Sequence, residues 1–161
     1  MHPLMLELLP WVRQGYCCSQ LLLLLLLQAR GEENPGLVRA MQGLCVGIGH
    51  ADGPCGLLTG GACALGLLAG KGADGEEAQP LLEALLNDYA QWFRERTAAF
   101  GGSSCDTVAA GLAAERGETG SGGAGRPDPA GCGDLLAEAW EKLLELVQAY
   151  DVDLMAHTGQ A

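Results

Sequence analysis

The chain has 161 residues, the length of one ordinary domain, and 48% of them are apolar although only 5% are aromatic. Such a core must be built mainly from Leu and Ala, which favours helices and disfavours a β-sheet. The formal net charge of −11 argues against binding to nucleic acid or to an anionic membrane surface.

No targeting segment is recognisable, because no basic stretch precedes the first apolar residues and no small-residue cleavage site follows them. The leucine run at residues 21–27 is shorter than the roughly 20 apolar residues that a membrane span needs. It therefore predicts a helix that other parts of the protein cover on most sides. We expect a soluble cytoplasmic protein with no membrane insertion.

The apolar periodicity predicts seven helical segments separated by glycine-rich or proline-rich turns. They cover residues 3–14, 16–30, 36–44, 55–69, 76–99, 105–116 and 132–156. Pro10 is expected to kink or shorten the first helix, and Ser103 or Ser104 to cap the sixth. We expect residues 117–131 to form a flexible Gly/Pro-rich loop and residues 157–161 a frayed tail. The expected fold is a single all-α domain over residues 1–161, a bundle of about six or seven helices around a buried Gly-rich helix.

That central helix is predicted at residues 55–69, in a stretch that carries no charge before Lys71. Each of its glycines weakens a helix by about 1 kcal/mol relative to alanine, so several together imply that another group approaches the backbone. A neighbouring helix is the simplest such group. A cofactor is the alternative, for which Gly56 and Gly60 are the candidate contacts. The preceding glycine-rich loop, residues 47–54, lacks the Lys-Ser/Thr of a Walker motif and follows no predicted strand, which argues against nucleotide binding.

Seven cysteines carry most of the functional information: Cys17, Cys18, Cys45, Cys55, Cys63, Cys105 and Cys132. Their odd number, without a signal peptide, argues against a secreted disulfide framework. No two are spaced C-x-x-C, which excludes the usual zinc ribbon and thioredoxin motifs. Cys45 and Cys63 lie within predicted apolar helical segments and are interpreted as small core hydrophobes.

Four of the cysteines share one local context, since Cys18, Cys55, Cys105 and Cys132 each fall at the predicted first turn of a helix, after a glycine-containing loop. A helix N-terminus presents unpaired N–H groups and about half a positive charge, which lowers a thiol's pKa and favours the thiolate. Four such termini aimed at one point suit an iron–sulfur centre, which uses four cysteine thiolates. The same arrangement would also make reactive redox thiols, and each cysteine taken alone could simply be buried.

Two other residues are candidate additions to this site. Cys17 lies directly beside Cys18, so either could be the working thiol. His50 lies in the loop before Cys55 and could serve as a fifth ligand or a proton donor. A plain exposed loop histidine is the simpler interpretation of His50.

At these cysteines the chain resembles the family of redox-active proteins named for the pattern C-GCAxxG-C-C. The matching pieces are Gly15-Tyr16-Cys17-Cys18-Ser19-Gln20, Gly47-Ile48-Gly49, Cys55-Gly56-Leu57-Leu58-Thr59-Gly60, Phe100-Gly101-Gly102-Ser103-Ser104-Cys105 and Cys132. Leu57 replaces the usual alanine, which is expected to narrow the space above Cys55. Cys17 is an additional thiol beside the matched Cys18.

The resemblance implies an all-helical fold of similar size and a redox activity whose reaction it leaves open. A related domain occurs in split-Soret cytochromes, where an iron–sulfur cluster accompanies the haems. By this resemblance, an iron–sulfur cluster is the candidate cofactor of the present chain.

Three functions remain open at this point. The first is a small redox-active or electron-transfer protein in which Cys18, Cys55, Cys105 and Cys132 converge to hold an iron–sulfur centre, with a redox protein as partner. The second is a metal-free thiol–disulfide redox protein that uses a pair from the same set. The third is a non-catalytic helical adaptor that binds a partner protein through its apolar surface and has structural cysteines.

Overall fold

The computed structural model describes residues 3–118 and 129–156. These residues form seven α-helices and no β-sheet. In chain order the helices are α1 (Leu4–Arg13), α2 (Cys18–Arg30), α3 (Pro35–Met41), α4 (Gly56–Ala69), α5 (Leu82–Arg96), α6 (Cys105–Glu115) and α7 (Gly133–Ala149). The prediction of an all-α helical bundle is confirmed.

The glycine-rich helix α4 lies at the centre of the bundle and packs against α2, α5 and α7. At Gly60 a Cβ atom would lie 2.7 Å from Ser19 Cα of α2, and at Gly61 it would collide with the ring of Tyr89 of α5. The Tyr89 hydroxyl uses that space to donate a hydrogen bond to the Leu57 carbonyl oxygen at 2.8 Å. Neighbouring helices therefore account for the close approach that these glycines predicted.

The core is aliphatic, as the composition predicted. Within the leucine run of α2, every residue except Leu24 is buried, because α2 contacts α1, α3, α4 and α7. The largest fully buried side chains are Tyr89 and Phe93, both on α5. The tight packing of α2 on α4 fixes the relative position of their N-termini, where Cys18 and Cys55 lie.

Helix α5 is shorter than the sequence predicted, since it begins at Leu82 and not at residue 76. Pro80 explains the late start, because proline disfavours helical geometry in the residue before it and offers no N–H. The backbone N–H of Gln79 is instead bonded to the Ala69 carbonyl oxygen at the end of α4. Leu81, which directly precedes the observed helix, is 58% exposed.

Helix α7 ends at Ala149, seven residues before the predicted end. Asp151 adopts a positive φ of 52°, and the Val152 N–H bonds back to the Val147 carbonyl oxygen, which turns the chain away from the helix axis. The buried guanidinium of Arg30 then holds the following segment, because it donates to the carbonyl oxygens of Leu154 and Ala156 at 2.7 Å each.

Two expectations lie wholly or mainly outside the described residues. The Gly/Pro-rich loop expected at residues 117–131 includes the undescribed stretch 119–128, and the expected frayed tail covers residues 157–161. Within the described ranges, every helix is too short or too polar to cross a membrane.

Candidate redox site

Four helix beginnings meet at one small cavity. Cys18 is the first residue of α2 and Cys105 the first of α6, while Cys55 and Cys132 directly precede α4 and α7. All four side chains line a cavity of about 30 Å³, room for a few water molecules. The prediction that these cysteines lie at helix beginnings is confirmed, and the structure brings them together.

Backbone hydrogen bonds clamp two of these helix beginnings to one another. The N–H of Cys55 donates to the Ser103 carbonyl oxygen at 2.8 Å, and the N–H of Cys105 donates to the Gly53 carbonyl oxygen at 3.0 Å. Ser104 caps α6, because its hydroxyl oxygen accepts the Thr107 N–H at 3.4 Å. The segments that precede Cys55 and Cys105 thus pair as a minimal antiparallel bridge, and this pairing fixes the backbone of Cys55 relative to that of Cys105.

Side-chain hydrogen bonds position the start of α2. The buried Gln20 amide accepts the backbone N–H of Cys17 at 3.2 Å and donates to the Val38 carbonyl oxygen of α3 at 3.0 Å. This pair of bonds fixes the chain where it enters α2. Cys18 lies within hydrogen-bond reach of Cys132, so the thiols at the starts of α2 and α7 are direct neighbours.

The surroundings raise the pKa of three of these thiols, Cys18, Cys55 and Cys105, and so favour their neutral form. The hydrogen bond with Cys132, followed by burial and by the other thiols, raises the pKa of Cys18 well above its usual value. Burial raises the pKa of Cys55 to about 12, although the N–H groups of Leu57 and Leu58 donate to its sulfur and act in the opposite direction. Burial, followed by the neighbouring Cys132, raises the pKa of Cys105 to about 11.

The sequence-based expectation of thiolates at these helix beginnings is therefore wrong for Cys18, Cys55 and Cys105 in the metal-free protein. The helix N-terminus does supply N–H donors to the Cys55 sulfur, but desolvation has the larger effect. None of the residues that line the cavity is cationic, so no neighbouring charge offsets the cost of burying a thiolate.

Two further cysteines, Cys17 and Cys45, line the same cavity and form a disulfide bond with a Cα–Cα distance of 5.9 Å. The interpretation of Cys45 as a packing residue was wrong. Their separation of 28 residues carries no sequence signal, and only the folding of α3 against α2 brings the two together. Because Cys17 is in the disulfide, Cys18 is the free thiol of the two adjacent cysteines, and it is hydrogen-bonded to Cys132.

The remaining cysteine and the unusual Leu57 lie away from the cavity. Cys63 is exposed on α4, so its assignment to the core was wrong. Helical spacing does put it on a similar face to Cys55, but Cys55 is buried and Cys63 is exposed. Leu57 is fully buried in the core and does not line the cavity, so it does not narrow the space beside Cys55 as expected.

A left-handed turn, Val46–His50, follows the disulfide directly. All five residues have positive φ, including Val46 at 47° and Ile48 at 58°. Left-handed geometry costs an L-residue roughly 1–2 kcal/mol, and β-branched side chains such as these tolerate it least. Val46 lines the cavity, and a Cβ on Gly47 would lie 3.0 Å from Cys105 Cβ, so the turn forms one wall of the site.

His50 is exposed at the end of this turn and outside the cavity lining, and its role as a ligand stays a prediction.

The glycines proposed as cofactor contacts both face α2. A Cβ on Gly56 would lie 3.3 Å from the Ser19 backbone nitrogen, and Gly60 meets the same residue more closely. Gly56 also lines the cavity. Helix packing accounts for both positions, and contact with a cofactor stays a prediction.

The donor set fits an iron–sulfur centre in its chemistry, because it offers four cysteine sulfurs at one place, with N–H donors to one of them. In the disulfide-bonded conformation, however, no group of three or more His, Cys, Asp or Glu side chains in the described ranges is spaced to hold a metal ion. The sulfurs would therefore have to shift before they could share such a centre.

Comparison with known proteins agrees with this arrangement of cysteines. No curated protein and no solved structure matches the chain. A family model described as "Putative redox-active protein (C_GCAxxG_C_C)" matches residues 16–146, a range that contains all seven cysteines. The chain therefore belongs to the C_GCAxxG_C_C family of redox-active proteins.

Proposed function

We propose that this redox-active protein works through one centre, formed by Cys18, Cys55, Cys105 and Cys132, which together hold an iron–sulfur cluster for electron transfer. The observation that carries the proposal is the convergence of four helix beginnings, each with a cysteine, on one cavity. This convergence weighs against the alternative in which the cysteines only pack, because packing would not require four of them to meet.

The side chains around the centre are suited to this role. Metal ligation takes cysteine as the thiolate, so the neutral thiols of Cys18, Cys55 and Cys105 would each give up a proton when a cluster binds. The N–H groups of Leu57 and Leu58 would then stabilise the sulfur of Cys55, and the apolar side chains of Val46 and Val108 limit the access of water. A bound cluster would supply one-electron transfer at a potential set by those donors and by burial.

The position of the centre also supports exchange of electrons with another protein. Cys18 and Cys105 are half-buried, so the centre lies close to the surface, within reach of a redox partner protein. Five of the seven cysteines are thiols, which supports the cytoplasmic location that we propose.

Anaerobic purification followed by iron and acid-labile sulfide analysis tests the proposal. We expect iron and sulfide in equal amounts, together with the visible absorbance of a cysteine-ligated cluster. A colourless chain that binds neither after anaerobic reconstitution with ferrous iron and sulfide would overturn the proposal.

A second candidate function is metal-free thiol–disulfide chemistry, favoured by the Cys17–Cys45 disulfide on the wall of the same cavity. In this form the reactive pair is Cys17 and Cys45, whereas the sequence-based alternative used two of Cys18, Cys55, Cys105 and Cys132. A redox titration of the iron-free chain, read by alkylation and mass spectrometry, separates the two candidates. Thiol–disulfide chemistry predicts a reversible two-electron step that does not depend on iron.

A further inference from the structure

The Cys17–Cys45 disulfide joins two walls of the four-cysteine cavity. Cys17 directly precedes α2, which begins with Cys18, and Cys45 directly precedes the left-handed turn, which packs against Cys105. Both disulfide cysteines are half-buried, so a reductant can reach the bond from outside. The disulfide therefore ties the α2 wall to the turn wall at a point open to solvent.

A buried serine is positioned to accept a hydrogen bond from Cys17 or Cys45 when the disulfide is reduced. The Ser19 hydroxyl is fully buried and donates its hydrogen to the Met41 carbonyl oxygen at 2.9 Å. Its oxygen lies 3.1 Å from Cys17 Sγ and 3.7 Å from Cys45 Sγ. Neither sulfur carries a hydrogen in the disulfide, so the oxygen can accept a thiol hydrogen only after the bond is reduced.

The turn beside Cys45 is held in a costly conformation. Its β-branched residues Val46 and Ile48 have positive φ, which a free loop would abandon. Two attachments outside the turn help to hold it: the disulfide at Cys45, and the Gly53 N–H, which donates to the Gly47 carbonyl oxygen at 3.0 Å. Loss of the disulfide removes one of these two attachments.

We propose that Cys17 and Cys45 form a reversible redox lock, which closes the four-cysteine cavity when oxidised and lets the left-handed turn move away from Cys105 when reduced. The proposal rests on the proposed function only in treating that cavity as the working centre. The four cysteines are chemically suited to hold a cluster, but in the oxidised conformation their sulfurs are not spaced to hold a metal ion. A lock that closes the cavity when oxidised accounts for this difference.

Opening the lock requires a dithiol reductant, either a small molecule or a protein. Its thiolate attacks one sulfur of the pair and forms a mixed disulfide, while the Cys17–Cys45 bond breaks and the other cysteine leaves as a thiolate. The second thiol of the reductant then resolves the mixed disulfide. Two electrons and two protons pass to Cys17 and Cys45, and the reductant ends as its own disulfide.

Pulsed alkylation of the iron-free full chain tests this lock. One sample is oxidised in air, and the other is reduced with dithiothreitol and desalted anaerobically. Both are then labelled briefly with iodoacetamide and analysed by peptide mass spectrometry. We expect the labelling rate of Cys105 to rise at least about tenfold on reduction, because its cover is released locally. The exposed Cys63, which lies outside the cavity, serves as the internal control and should label at the same rate in both samples.

Two variants make the test specific. Chains with Cys17→Ser and Cys45→Ser should label Cys105 at the fast rate without any reductant, whereas Cys63→Ser should keep the redox dependence. The proposal is overturned if Cys105 labels equally fast in both redox states, or if Cys17 and Cys45 label without reduction. Loss of the helical circular dichroism on reduction would also overturn it, because a local lock leaves the helices intact.

The outcome is independent of iron binding. A chain that never binds iron but shows the redox dependence at Cys105 would overturn the proposed cluster and retain the lock. A chain that binds iron equally well with the disulfide intact would retain the cluster and overturn the lock.

Discussion

Replacement of Gly60 by alanine tests how closely α2 and α4 must approach to bring Cys18 beside Cys55. The new Cβ would lie 2.7 Å from Ser19 Cα and 3.0 Å from the Ser19 carbonyl oxygen. Both atoms belong to the backbone, so they cannot rotate away, and the two helices must separate. Overpacking of this kind costs about 1–3 kcal/mol, and the contact with backbone favours the upper end of that range.

The alanine also brings a gain, because it is a better helix former than glycine by about 1 kcal/mol. We therefore expect Gly60→Ala to lower the free energy of unfolding by about 2 kcal/mol, and the urea midpoint by about 1 M at a typical dependence on urea. Gly66→Ala is the matched control. Gly66 lies in the same helix with nothing within 4 Å of its Cβ position, so its substitution should raise the midpoint.

Urea unfolding followed by circular dichroism, with the disulfide intact, measures both variants. The expected result is a shift in opposite directions. If Gly60→Ala stabilised the protein as much as Gly66→Ala, the close approach of α2 and α4 would be refuted as the reason for this glycine.

Two further predictions concern the sulfurs of the metal-free protein. Its free energy of unfolding should decrease as the pH rises above 9. In the folded protein Cys55 and Cys105 have pKa values of about 12 and 11, against 9.0 for an ordinary thiol. Above pH 9 the unfolded chain therefore loses protons that the folded protein keeps, which favours unfolding. Urea midpoints at pH 8 and pH 10 measure this decrease, and the decrease should be smaller in the Cys55→Ser variant. An equal decrease in that variant would contradict the raised pKa of Cys55 as a cause. Ser19→Ala should make the potential of the Cys17 disulfide more negative by about 10–20 mV, because the reduced thiol loses an acceptor worth up to about 1 kcal/mol. A dithiothreitol redox titration measures this potential, and an unchanged or less negative value would show that the Ser19 oxygen does not serve the reduced form.

The sequence was sufficient to predict the helices and the four helix-start cysteines, because the signals involved are local. Glycine-containing loops end one helix before the next begins, and Ser104 is a standard cap for the helix that starts at Cys105. Apolar residues at helical spacing indicated α7, and two of them, Leu136 and Leu143, are fully buried. The buried glycine-rich helix was equally evident from its lack of charge.

The sequence did not predict features that depend on tertiary contacts. The pairing of Cys17 with Cys45 requires α3 to fold back over α2, and no spacing rule encodes that. The left-handed turn contradicts the preferences of Val46 and Ile48, although the alternating Gly47 and Gly49 do suit positive φ. Such a conflict between local preference and observed geometry is expected where a segment is held by its surroundings.

Two further errors, one of a helix boundary and one of burial, have simpler causes. The sequence predicted that α5 begins before Pro80, at residue 76, but it begins at Leu82. Proline disfavours helical geometry in the residue before it, and this effect outweighs the helix-favouring pattern of acidic and apolar residues nearby. The exposure of Cys63 shows that an apolar stretch does not specify which face of a helix is covered.

The iron content of two matched cysteine variants tests the central claim most directly. Cys105→Ser removes one of the four converging sulfurs, and Cys63→Ser removes an exposed thiol on the same bundle. After anaerobic reconstitution, we expect Cys63→Ser to bind as much iron and acid-labile sulfide as the unmodified chain, and Cys105→Ser to lose most of both. Equal iron in the two variants would contradict the claim that the four helix beginnings form one centre.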